Sequence, residues 1–370
     1  MSFSYRRCKS IFQKEIKHIL RDPFTLILAV IIPLLIVLIL GNSIEFNLKE
    51  ISTVVIDHDK TKESCELIRT FNSSDYFKTY FKDSPAEGFQ EILKEKARVI
   101  LYIPPDFDKN IASGQTAEAQ ILLDGANNST VTTVSSYLYN ISTMASAKIN
   151  NTSIPENFLK TRLLFNPELN SKWFAIPGLT AIIVAIVCIL LTSLTVCKER
   201  ELGSMELLLS TPVEPLEIII GKVIPYAFLG WVGFYIVYIA SRYCFNVPFF
   251  GDFKILLLAT IIFIIDYLAI GMYISVTLEQ QQAAVLIALI LGLLPTALLS
   301  GFVFPVEYMP KIIQYFAMIF PARWYLIVIR AEFLKASPFV DLLLPFSVLI
   351  FQGFVAITAA VSNFKRTLEP

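Results

Sequence analysis

KERELGSMELLLSTPVEPLEIIIGKVIPY, residues Lys198–Tyr226, decides how the chain is read. It is a short charged island between two long apolar runs. Ala175–Val196 ends in Lys198, Glu199, Arg200 and Glu201, and a second run extends from Gly221 to Ala240. An island this small between two candidate spans is too short for a domain. Within it, Ser204–Leu209 is helix-sized, bounded by Gly203 and by Thr211-Pro212. A short amphiphilic helix at a membrane face is either a docking element or a connector lying on lipid. A segment lying on headgroups is rich in Lys and Arg. From Glu199 to Glu217 five acids stand against one base, Arg200, which favours a protein partner.

The bulk properties agree with a membrane setting. The 370 residues are 55% apolar and 17% charged, against about 25% charged in an average soluble domain. Mean hydropathy is +0.62. Formal net charge is zero, so no bulk field points to nucleic acid or an acidic substrate. Two histidines and five scattered cysteines give no pair at metal or redox spacing, so no metal site is expected. Cys65 is the only cysteine of the long polar segment, which excludes a disulfide inside it. No cleavable leader is expected, because the first apolar run has spanning length and no small-x-small site after it.

Outward from the island, the remaining elements fall into order. Residues 1–23 hold an amphipathic interfacial helix with Ile11, Phe12, Ile16, Ile19 and Leu20 on one face and six basic residues. Those bases either set topology alone or also contact a cytoplasmic partner. Residues 24–41 are the first span, near the lower length limit, with Pro33 expected to kink it. Basic residues ahead of it place the N-terminus in the cytoplasm. Residues 42–172 alternate strand and helix patterns, which implies a small mixed α/β domain outside the cytoplasm. A long connecting helix is expected near Asn127–Asn150. Further spans are expected at 175–197, 221–241, 255–278, 283–299 and 342–362, with residues 198–220 as the cytoplasmic loop. Residues 300–341 are apolar but punctuated by Pro305, Pro310 and Pro321, so no piece between them can span. Two short helices that dip in from the outer face, about Met309–Ile319 and Ala322–Leu334, fit best. Six spans return the C-terminus to the cytoplasm. The fold class is an α-helical membrane protein of six spans, with an inserted α/β domain and re-entrant helices before the last span.

Catalytic chemistry is missing from the pattern. Gly221-Lys222 lacks the upstream glycine and the Ser/Thr of a phosphate loop. No nucleophile–base set stands out, so the chain is not read as an enzyme. Asp266, in IIFIIDYLAIG, is taken as the one ionisable residue deep in a span. An intramembrane carboxylate is costly and marks a functional site by default. Two readings stay open: Asp266 lines a translocation path, or it hydrogen-bonds a Tyr or Ser of a neighbouring helix and holds the bundle together.

The chain resembles the ABC-2 type permease subunits of bacterial ABC exporters, in particular the multidrug type with a large extracytoplasmic loop. KEIKHILRDP (Lys14–Pro23), FNPELNSKWFAIPG (Phe165–Gly178) and the opening island carry the resemblance. LEQQQAA (Leu278–Ala284), LLSGFVFPVEYMP (Leu298–Pro310) and FPARWYLIVIRA (Phe320–Ala331) continue it in the family's order. Gly203-Ser204-Met205-Glu206 departs mildly from the family's usual Gly-Thr-Met-Glu. The resemblance implies an ABC-2 transmembrane domain over residues 130–368. It also implies a coupling segment docked on an ATPase subunit and carried by Glu199, Arg200, Glu201, Gly203, Met205, Glu206, Leu209, Thr211 and Pro212. Pro305, Pro310 and Pro321 would then mark the outer exit region. ATP and magnesium would bind the ATPase subunits rather than this chain. The partners implied are two ATPases, a second permease (identical or paralogous), membrane lipid and, in relatives of this type, a periplasmic adaptor protein. The implied activity is export of drugs or other hydrophobic compounds across a bacterial inner membrane. A second reading is a non-transporting ABC-associated protein that senses a ligand or transmits force through its outer domain.

Overall fold

Every long apolar run becomes a helix, because backbone polar groups in lipid have to be satisfied within the segment. The computed structural model describes residues 4–43, 51–74, 76–94, 96–124, 134–135, 137–139, 141–142, 165–166, 170–203 and 213–368. The chain divides into two compact units, residues 46–163 and the remainder.

In the larger unit α1 (Tyr5–Arg21) precedes six helices long and apolar enough to cross a membrane. These are α2 (Pro23–Asn42), α6 (Ser171–Glu201), α7 (Pro215–Tyr243), α8 (Phe253–Thr277), α9 (Gln281–Leu299) and, after a bent pair, α12 (Leu343–Leu368). Mid-span Pro33 cannot donate to Ala29, and a π-turn over Ile27–Ile31 accommodates the missing bond. α6 is buried along most of its length and forms the centre of the apolar core. It breaks at Leu194 between helical pieces Ser171–Ser193 and Thr195–Glu201. The amides of Val196 and Cys197, orphaned by that break, both donate to the Ser275 hydroxyl of α8, at 2.9 and 3.1 Å.

Two expected boundaries change. Lys198–Glu201 continue α6 rather than opening a loop, and α7 starts at Pro215 rather than Gly221. Glu214 and Pro215, a rigid turn by sequence pattern alone, begin a helix instead. They are the N-cap and first residue of α7, with Glu217 closing the capping box. The connection expected over 198–220 therefore shrinks to residues 202–214. Its expected helix Ser204–Leu209 lies outside the described residues.

The smaller unit carries a four-stranded sheet of β1 (Ile51–Asp57), β2 (Phe77–Phe81), β3 (Val99–Ile103) and β4 (Gln120–Leu123). The order is β2-β1-β3-β4, with β1 parallel to β2 and β3, and β4 antiparallel to β3. Helices α3 (Lys62–Asn72), α4 (Pro85–Leu93) and α5 (Phe107–Ala112) follow the first three strands. Val55, Leu101 and Ile103 pack on one sheet face, Val54, Ile56 and Ile100 on the other, as expected for central strands covered on both sides. Much of Asn127–Asn150 lies outside the described residues. Val134, Leu138 and Ile141, at helical spacing, join the first of these clusters.

The bent pair is α10 (Lys311–Ala317) and α11 (Pro321–Lys335), which turn by 83° between Ala317 and Pro321. Gln352, well inside α12, donates to the carbonyls of Met318 at 2.8 Å and Ile319 at 3.1 Å. Trp324 Nε1 also donates to Met318 O at 2.9 Å. The turn of the hairpin thus sits at the depth of Gln352, and side chains satisfy carbonyls that no helix can. This is the condition for non-helical backbone inside a membrane. Pro305 and Pro310 are exposed at the entry to the hairpin, whereas Pro321 is buried as the first residue of α11.

Candidate functional site

α1 meets the last turns of α6 and the first turns of α7 in a charged junction. α1 buries Cys8, Ile11, Glu15 and Ile19, a stripe at three- and four-residue spacing. That stripe is rotated from the expected one: Leu20 is exposed, and an acid, Glu15, occupies the apolar line. α1 approaches α7 so closely that a Cβ at Gly221 would lie 2.9 Å from Ile11.

Lys222 of α7 is the hub. Its Nζ lies 2.9 Å from Glu199 Oε2 of α6 and 3.7 Å from Glu15 Oε2 of α1. It also donates to the Thr195 carbonyl at 3.4 Å. Tyr226, one turn along α7, donates to Glu15 Oε1 at 2.7 Å. Lys14 pairs with Glu199 Oε1 at 2.7 Å from the outer side. The row Lys14–Glu199–Lys222–Glu15 alternates in sign, and Lys222 is only 1% exposed. A buried charge survives only when it is paired and hydrogen-bonded.

Two further ties flank the hub. Arg7 grips Glu217 with two parallel bonds, Nε to Oε2 and Nη2 to Oε1, both 2.7 Å, and the Ser4 amide donates to Oε1 at 2.6 Å. That fork raises the affinity of Arg7 for its proton. Lys198 lies 3.2 Å from Asp22 Oδ2. Burial works to raise the Asp22 carboxyl, but the bond and charge of Lys198, with Thr25, hold it below the usual carboxylate range.

Of the residues expected to couple, Glu199 is in the junction. Arg200 is half-buried, and Glu201 accepts from Gln281 Nε2 at the start of α9. Gly203 ends the helix with φ +72°, a conformation glycine adopts freely. Met205, Glu206, Leu209, Thr211 and Pro212 lie outside the described residues. Sequence reasoning missed Arg7, Glu15, Glu217, Lys222 and Tyr226. The signal was present in two places: an acid on the apolar stripe of α1, and a lysine inside an apolar helix. Asp266 is therefore not the only ionisable residue buried on a spanning helix.

Asp266 itself is fully buried on α8 against Gly353 of α12, where a Cβ would collide with Oδ1. The expected hydrogen bond to a Tyr or Ser is absent: among the described residues neither carboxyl oxygen has a hydrogen-bond partner. The nearby hydroxyls are used elsewhere. Tyr267 bonds Thr296 at 2.7 Å, and Thr260 bonds Tyr325 of α11 at 3.0 Å. No group of His, Cys, Asp and Glu among the described residues is arranged to hold a metal ion.

A family profile described as "ABC-2 family transporter protein" matches residues 23–362, a wider range than 130–368. The chain belongs to the ABC-2 transporter family. Within it, the chain is 31% identical over 371 residues to the probable multidrug ABC transporter permease YbhS of Escherichia coli, covering 99% of this chain and 98% of that one. It is 29% identical to YbhR of the same organism, another probable multidrug ABC transporter permease, over 90% of each chain. The linearmycin resistance permease protein LnrN of Bacillus subtilis is 23% identical over 340 residues, 84% of this chain and 86% of that one. With six helices among the described residues long and apolar enough to cross a membrane, this ABC-2 chain is a multi-pass membrane protein.

Proposed function

We propose that the chain is the permease subunit of an ABC exporter, which forms a translocation path with a second permease and is driven by separate ATPase subunits. The observation that carries this is the junction: Lys222, Glu199 and Glu15 fasten three helix ends around the loop that would dock the ATPase. A push on residues 202–214 then moves α1, α6 and α7 together. Energy enters only through the ATPase's different affinity for the two conformations of the permease. ATP and magnesium reside on the partner.

The six basic residues of α1 support placing this face in the cytoplasm of a bacterial inner membrane, with the α/β unit outside as a surface for an adaptor. The printed names of YbhS and YbhR support drugs or other hydrophobic compounds as cargo. The test is reconstitution with a candidate ATPase in sealed vesicles, reading ATP hydrolysis and dye export together. Glu206→Lys and Leu209→Asp are expected to stop export while the helical spectrum is unchanged. Normal export by both variants would remove the loop from the coupling role.

A further inference from the structure

The junction engages only part of the charge on α1. Arg7 is held by Glu217 and Lys14 by Glu199. The other bases, Arg6, Lys9, Lys17 and Arg21, are exposed and make no ion pair or side-chain hydrogen bond among the described residues. At 3.6 residues per turn they fall within about 120° of the helix surface, centred opposite the buried stripe of Cys8, Ile11, Glu15 and Ile19. The only acid of α1, Glu15, is on that buried stripe. The exposed face therefore carries bases and no acid, and the like charges repel one another with nothing on the helix to relieve them.

A second observation sets the level of this face. Glu15 bonds Tyr226, well inside the apolar helix Leu216–Tyr243, and α2 begins at Pro23, directly after the turn at Asp22. The C-terminal half of α1 thus stands where two spans enter the bilayer. Its flank is apolar: Phe12 and Ile16 are half-buried, and Tyr5 and Leu20 are 74% and 66% exposed. Exposed apolar side chains continue at Phe24, on the span itself. A basic face beside an exposed apolar flank at this level is complementary to phosphates lying over acyl chains. A protein covering the same bases would also have to cover Leu20 and Phe24, and Phe24 belongs to a spanning helix.

We infer that the exposed face of α1 binds anionic phospholipid headgroups, with Arg6, Lys9, Lys17 and Arg21 on the phosphates and Tyr5 and Leu20 among the upper acyl carbons. The opposite face is tied to α6 and α7 through Lys14, Arg7 and Glu15, so headgroups that hold α1 also steady the junction. The island from Glu199 to Glu217, with five acids to one base, is repelled by the same layer. The two segments divide this end of the bundle between lipid and protein. The binding does not depend on the exporter reading.

The test follows the melting temperature of the purified full chain in an uncharged detergent as dioctanoyl phosphatidylglycerol or dioctanoyl phosphatidylcholine is added. A ligand of the folded state raises it with concentration. An apparent affinity at least about tenfold tighter for the anionic lipid is expected, less than four independent bases at an anionic surface would supply. About 1 M NaCl, where the Debye length is about 3 Å, should remove most of the preference. Changing Arg6, Lys9, Lys17 and Arg21 together to Gln should abolish it. All four are exposed, and a single elution peak with an unchanged melting point in the absence of lipid checks the fold. Changing Lys60, Lys62, Lys94 and Lys109 of the α/β unit to Gln removes the same net charge and should leave the preference intact. Equal affinity for the two lipids, a preference that survives the α1 changes, or one lost equally in the α/β control overturns the site. The same shift with inorganic phosphate would make it a site for free anions instead of lipid. A lipid preference that survives the α1 changes while a candidate ATPase no longer copurifies would give the face to a protein partner. A chain that binds the anionic lipid through these bases but exports nothing keeps the site and loses the exporter reading.

Discussion

Lys222 and Asp266 are both ionisable, both stand on apolar helices and both are buried, but their surroundings are opposite. Lys222 meets Glu199, Glu15 and a backbone carbonyl within 3.7 Å. Asp266 meets no hydrogen-bond donor among the described residues. The difference separates two uses of charge in a membrane protein. A fully paired ion fixes how helices sit on one another, and removing one member leaves the others stranded. An acid with no hydrogen-bond donor among the described residues makes no such fastening there.

The largest effect that can break this contrast is Lys222→Met. It leaves Glu15 with only the Tyr226 hydroxyl and Glu199 with only Lys14, and losing one member of a buried pair costs up to about 3–5 kcal/mol. Thermal unfolding in detergent should show the loss, and the triple change Lys222→Met, Glu15→Gln, Glu199→Gln should recover most of it. A fully stable single variant would mean that the junction is not a fastening. Gly221→Leu comes next. Its side chain must displace Ile11 and lift α1 from α7, at about 1–3 kcal/mol for overpacking. Maleimide labelling of Cys8, buried on the face of α1 that packs on Gly221 of α7, should accelerate in that variant.

The Asp22–Lys198 tie is smaller. Its folded pKa is depressed, so its stabilisation is present above the unfolded carboxylate value and lost as pH falls through the folded one. Below pH 4, α1 should loosen with a slope that Lys198→Met removes. Asp22 is 21% and Lys198 35% exposed, so screening keeps the contribution below about 1 kcal/mol. Smallest of all is Asp266→Asn, for which an unchanged or slightly higher melting temperature is expected. A large destabilisation would show that the carboxyl has a structural partner after all.

The spans were legible because each is a long apolar run, and the bent pair because Pro305, Pro310 and Pro321 break a run that is otherwise long enough. The α/β pattern was legible from strands alternating with helices between Ile51 and Leu123. The helix ends at the junction were not. Lys198–Glu201 look like the start of a loop, yet each of Lys198, Glu199 and Glu201 finds a partner on another element, which keeps the last turns wound. Glu214-Pro215 look like a turn, but the same pair is a sound helix start. Lys222 drew attention only as half of a failed phosphate loop. Its meaning depends on Glu15, more than two hundred residues away, and no local pattern carries a pairing over that separation. Asp266 is the reverse case: the sequence marks it plainly, but only the packed neighbours reveal that no donor among the described residues answers it.

The Ser275 hydroxyl, which receives two amides at the break in α6, works as a bearing between two rods. The terminal turns of α6 cannot shift without carrying Ser275 along or giving up both bonds. Ser275 and Asp266 are nine residues apart on one unbroken helix, about 13 Å of stiff rod. Any shift of the terminal turns of α6 is thus passed to α8, the helix that also carries Asp266.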